Sequence, residues 1–106
     1  AYSDRIKKVY EFVMQNFKED ICLNDAVQLA SMSESAFSRY FKKRTRLTFS
    51  SFLTGVRVEY ACRKLRETEK SIAEIAFESG FNNLSNFNRQ FKVLKKMTPF
   101  AYKNTY

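Results

Sequence analysis

The sequence has no His, no Trp, one Pro, two Gly and two Cys in 106 residues. Without His, the usual general base near neutral pH and the commonest metal ligand are missing. Two Gly cannot build a Gly-rich phosphate loop or a dinucleotide fingerprint. Cys22 and Cys62 lie forty residues apart, which excludes a four-ligand Cys zinc site. Both sit among apolar or helical neighbours and are expected to be small buried hydrophobes in a reducing compartment. No metal, no cofactor and no enzymatic activity are expected. No apolar run approaches the ~20 residues of a membrane span, and the N-terminus lacks a signal-peptide core, so a soluble, cytoplasmic chain is expected.

Against these absences stand nineteen Lys and Arg, eleven Asp and Glu, a net charge of +8 and a pI near 9.7. Eleven Phe make this no disordered basic tail. The length suits one compact domain, which buries roughly 65% of the surface its unfolded chain exposes. The charge is uneven. Residues 35–58 hold six basic side chains and no acid, and residues 79–106 hold five and again no acid. Two positive surfaces follow, and a polyanion contacted at two places is their natural partner.

With so little Pro and Gly the chain reads as all-α, with about seven helices. Ile6, Val9, Tyr10, Val13, Met14 and Phe17 follow helical spacing over residues 4–17. Asn24 or Asp25 is expected to cap a short helix bearing Ala26, Val27, Leu29 and Ala30. Ser33 is expected to cap a third helix over 34–44, with Ala36, Phe37, Tyr40 and Phe41 inside. Thr48 opens a long helix over 49–67 with Phe49, Phe52, Leu53, Val56, Tyr60 and Leu65 on one stripe. Ser71 and Glu74 form a capping box for a fifth helix bearing Ile72, Ile75, Ala76 and Phe77, and Gly80 ends it. A sixth helix covers 84–95, and Thr98-Pro99 starts a seventh.

The deciding feature is an internal repeat. Residues 35–42 read Ser-Ala-Phe-Ser-Arg-Tyr-Phe-Lys and residues 85–92 read Ser-Asn-Phe-Asn-Arg-Gln-Phe-Lys, five identities in eight at an offset of 50. Each copy follows a short helix and a tight break. Two helix-turn-helix subdomains, 1–47 and 68–106, are therefore expected, joined by a linker helix over 48–67.

Phe37 and Phe41 share one helix face, as do Phe87 and Phe91, and are core anchors. The opposite faces then present Glu34, Ser35, Ser38 and Arg39 in one unit, and Leu84, Ser85, Asn88 and Arg89 in the other. Short polar groups with one long Arg suit a helix seated in the major groove, where a guanidinium reaches guanine O6 and N7 and Asn88 can pair with adenine. Lys42, Lys43, Arg44 and Arg46 follow in the first unit, and Lys92, Lys95 and Lys96 in the second, as expected phosphate clamps. Cations at helix C-termini also suit the macrodipole, which accounts for some of them without a ligand. About eight to nine phosphate contacts predict a salt slope of roughly −7 to −8. A linker helix of about 19 residues is ~29 Å long, close to the ~34 Å between successive major-groove faces on one side of B-DNA.

These residues resemble the DNA-binding domain of the AraC/XylS family of bacterial transcription regulators over nearly the whole chain. The second unit carries the most specific stretch: Ser71-Ile72-x-Glu74-Ile75-Ala76, Gly80-Phe81, Ser85-x-Phe87-x-Arg89-x-Phe91-Lys92, then Thr98-Pro99 and Tyr102. The linker helix adds Arg57, Ala61 and Leu65. The first unit matches in Leu29-Ala30, Met32-Ser33 and Phe37-x-Arg39-x-Phe41-Lys42. The resemblance implies sequence-specific binding of double-stranded DNA, with the third and sixth helices in adjacent major grooves. It places base contacts on Ser35, Ser38, Arg39, Leu84, Ser85, Asn88 and Arg89. Arg46 and Lys96 stand where the family usually has Gly, Val27 replaces a usual Ala, and Asn86 stands where an aromatic is common. The family also implies an effector or dimerisation domain outside this chain, which opens on Ala1, and the chain is expected to be the reading half of a larger regulator. The alternative in a different class is a helical interaction domain whose basic faces dock an acidic protein such as an RNA polymerase subunit.

Overall fold

The computed structural model describes residues 2–105, and among these all regular structure is helical. The elements are α1 (Tyr2–Asn16), α2 (Leu23–Ala30), α3 (Glu34–Thr45), α4 (Phe49–Glu67), α5 (Ile72–Glu78), α6 (Leu84–Lys95) and α7 (Pro99–Thr105). Most starts are fixed by a short polar side chain that takes up an otherwise orphaned backbone N–H. Ser33 Oγ accepts from the Ala36 amide at 3.2 Å, Asn83 Oδ1 from Asn86 at 2.8 Å, and Thr98 Oγ1 from Ala101 at 3.1 Å. Ser71 and Glu74 make the expected reciprocal box at 3.1 and 3.2 Å. In α2 the start shifts from the expected Asn24 or Asp25. Cys22 is the N-cap, and the Asp25 carboxylate reaches back to accept its amide at 2.9 Å.

The chain forms two compact units, and the division falls within α4, between Leu53 and Thr54. In the first unit α1 packs on α2 and α2 on α3. Its core holds Val9, Val13, Ala26, Val27, Ala30, Phe37, Phe41, Phe49 and Leu53. Phe37 and Phe41 stack at 5.4 Å, and Phe49 meets both edge-on at 6.1 and 5.8 Å. In the second unit α5 packs on α6 and α6 on α7, around Val58, Ala61, Cys62, Leu65, Ile75, Ala76, Phe81, Phe87, Phe91 and Tyr102. Phe81, Phe87, Phe91 and Tyr102 form a ring chain with centroids 5.1 to 5.7 Å apart. Each such ring removed from water contributes about 1.5–3 kcal/mol, so the two aromatic clusters carry much of each core.

The repeat runs further than the eight matched residues. α3 and α6 have the same bounds at an offset of 50, and both end on a left-handed residue, Arg46 (φ 66°) and Lys96 (φ 64°). α2 and α5 match at an offset of 49. Cys22 and Asp25 correspond to Ser71 and Glu74, and the left-handed Ser31 (φ 54°) corresponds to Gly80 (φ 102°). After each left-handed residue one amide turns back to the helix: Met32 to Val27 at 3.3 Å, and Phe81 to Ala76 at 3.1 Å. The second unit has one extra residue before its second helix.

Several expected core residues lie outside. Phe77 is 54% exposed and Tyr10 51%, and Met14, Leu29 and Cys22 are also exposed. The reason is angular. α1 buries a narrow stripe through Val9 and Val13, and Tyr10 and Met14 fall one residue off it. α2 buries Ala26, Val27 and Ala30, and α5 buries Ile75 and Ala76, which turns Leu29 and Phe77 out by roughly 100°. Cys22 is at the surface because it is the cap. Cys62 is buried, as expected. No helix among the described residues is long and apolar enough to cross a membrane.

Candidate nucleic-acid interface

With Phe37 and Phe41 buried, the far side of α3 is fixed by helical geometry. Ser35, Ser38, Arg39, Lys42 and Lys43 are all exposed, at spacings that align them along one face. Ser38, Arg39, Lys42, Lys43 and the C-cap Arg46 line one shallow, open depression with no acidic side chain in it. Arg39 is exposed and makes no hydrogen bond or ion pair within the described residues. Arg44 is exposed but lies about 180° around the helix from Ser35, outside that depression.

On α6, Ser85, Asn88, Arg89 and Lys92 repeat the same exposed stripe, opposite the fully buried Phe87 and Phe91. Leu84, in the first turn, is 37% exposed and sits at the flank of the stripe. Lys96 caps the helix at the exposed end. The Arg89 guanidinium donates to Asn86 Oδ1 at 2.7 Å. Sequence reasoning singled out Asn86 only as a departure, although its place three residues before Arg89 on a helix already brings the two side chains together.

Lys95 departs from its expected role as a phosphate clamp. Its ammonium donates to the Glu59 carboxylate of α4 and is only 27% exposed. That hydrogen bond raises the Lys95 pKa above its ordinary value. To reach a phosphate, Lys95 must first give up this carboxylate. Glu59 is the partner that holds it.

Burial pushes the Cys62 thiol up, which keeps it protonated and inert. Among the described residues no group of three or more His, Cys, Asp or Glu could hold a metal ion.

Residues 26–105 match the helix-turn-helix domain family, in its AraC-type form. The chain belongs to the AraC-type helix-turn-helix family. Its structural neighbours include AraC-family DNA-binding domains. The chain is similar to the C-terminal domain of AraT, a response regulator from Geobacillus stearothermophilus, with 26% identity, a TM-score of 0.92, and coverage of 99% of this chain and 88% of that one. It is also similar in fold to the DNA-binding domain of AdpA, a global transcriptional factor solved in complex with a target DNA. There the identity is 25% and the TM-score 0.89, covering 94% of this chain and 90% of that one. Among curated relatives, an uncharacterized HTH-type transcriptional regulator of Staphylococcus aureus (strain MSSA476) is 31% identical over 100 residues. That match covers 94% of this chain and 13% of the regulator, so the chain spans about an eighth of its relative's length. As an AraC-type domain the chain carries two units, and the stripes on α3 and α6 are the corresponding surfaces of its two second helices.

Proposed function

We propose that this chain reads specific sequences in double-stranded DNA, with α3 and α6 each seated in a major-groove segment. The observation that carries the proposal is the doubled stripe: Ser35, Arg39 and Lys42 on one helix, Ser85, Arg89 and Lys92 on the other, each opposite a buried Phe pair. Short groups let the backbone approach the base edges, and the Arg side chains reach guanine. Ser35, Ser38 and Arg39, with Leu84, Ser85, Asn88 and Arg89, are the base-facing set. Lys42, Lys43, Arg46, Lys92 and Lys96 are the phosphate set, whereas Lys95 is held by Glu59 and Arg44 lies off the stripe. Five such cations give a salt slope of about −4 to −5, shallower than the value expected from the sequence.

One chain with two readers needs no second copy to contact two groove segments. Selection from a random duplex pool tests this directly. The expected product is a bipartite site with half-sites about 10 base pairs apart. A pool that binds yet enriches no sequence would contradict specific reading and would favour docking on an acidic protein surface.

A further inference from the structure

We propose that Asn86 is a positioning residue for Arg89, and that it makes α6 the more discriminating of the two helices. This rests on the DNA-reading function proposed above. Asn86 is half-buried, and its own amide is fixed by Asn83 Oδ1 at 2.8 Å, so its side chain starts from a rigid first turn. Its Oδ1 then accepts from Arg89 Nη2 at 2.7 Å, with Gln90 Nε2 at the edge of the same oxygen's reach at 3.5 Å. The exposed Arg89 is therefore ordered before any DNA arrives.

The first unit supplies the control within the same chain. Ser33, Ala36 and Arg39 occupy the places of Asn83, Asn86 and Arg89, and Ser33 caps the Ala36 amide as Asn83 caps Asn86. Ala36 has no acceptor to offer, and Arg39 has no partner within the described residues. Three residues before its Arg, the first unit thus lacks the acceptor that the second provides.

The chemistry favours an amide here. A guanidinium carries five N–H donors, and Asn86 takes one, leaving enough for a two-pronged contact with guanine O6 and N7. An Arg already held in place loses less side-chain freedom on binding. Swinging Arg89 away from this pose would break the Asn86 bond, so the held pose is favoured over the others. A carboxylate at this position would hold Arg89 more strongly but would repel the phosphates.

The test uses the whole chain and the duplex it selects. The pair read by Arg89 is the one at which Arg89→Ala loses its preference. Asn86→Ala is expected to lower discrimination at that pair by about five- to tenfold, with no loss of affinity for random duplex. Ala36→Asn is expected to raise discrimination at the pair read by Arg39 by a few-fold. Asn86→Asp keeps the acceptor, so it is expected to retain the base preference while weakening binding to every duplex. Full discrimination in Asn86→Ala, or an equal loss on all duplexes, would overturn the positioning role. A wild-type chain that prefers no duplex would overturn the DNA-reading proposal itself, and this one with it.

Discussion

Arg46 and Lys96, fifty positions apart, end their helices in the same left-handed conformation, at φ 66° and 64°. Each amide closes the last turn at 2.8 Å, to Lys42 and Lys92. The conformation costs a residue with a Cβ about 1–2 kcal/mol, a cost Gly does not bear. Keeping a cation there sets stability against charge at the interface. Arg46→Gly and Lys96→Gly are each expected to raise stability by about 0.5–1 kcal/mol, since Gly also gives more freedom to the unfolded chain. Each is expected to reduce the DNA salt slope by about 1. Denaturant melts with salt-titrated binding check both signs at once.

Glu59→Gln releases Lys95 from its carboxylate partner. The pair is largely exposed on the Glu59 side, so the stability loss is expected to stay below about 1 kcal/mol. A freed Lys95 is expected to tighten binding to random duplex and to steepen the salt slope. An unchanged slope would mean that Lys95 lies out of reach of the backbone.

Phe87 is fully buried and touches both Phe81 and Phe91. Phe87→Ala is expected to cost about 3–5 kcal/mol, read as a lower denaturation midpoint, and to abolish binding through loss of α6 packing. Phe37→Ala, at the matching place in the first unit, is expected to cost a similar amount.

The Glu74 carboxylate is held below its ordinary value of 4.5, chiefly by the Ser71 backbone amide, with the Ser71 side chain also contributing. A group with a lowered folded-state pKa stabilises fully above its unfolded value and loses that contribution as pH falls through the lower folded one. Wild type is therefore expected to exceed Glu74→Gln in stability at neutral pH. The gap is expected to close as pH drops below 4.5. Thermal melts of the pair from about pH 7 to pH 3 measure it; a gap that stays constant would place no charge effect at the box.

Most of the fold is legible in the sequence because it is written in caps and spacings. Ser33, Thr48, Ser71, Gly80, Thr98 and Pro99 mark ends by local chemistry, and α4 and α6 have the expected bounds. The α2 start is not legible, because Cys is a poor capping type and Asp25 works from the third helical position instead of the cap. Phe77 and Leu29 mislead because helices of seven and eight residues give periodicity too few turns to separate buried from flanking positions. At the interface the stripe on each helix follows from the Phe pairs alone. The engagement of Lys95 by Glu59 does not, since the two are 36 residues apart and only the packing of α6 near α4 brings them together.

On the proposed function, α6 separates base reading by Arg89 from phosphate holding by Lys92. The most direct measurement compares Arg89→Ala and Lys92→Ala on the selected duplex and on random duplex across a salt titration. Arg89→Ala is expected to lose about 1–3 kcal/mol on the selected site and little on random DNA, with relaxed preference at one base pair. Lys92→Ala is expected to weaken both alike and to reduce the salt slope by about 1. Equal losses on selected and random DNA from both substitutions would contradict that division.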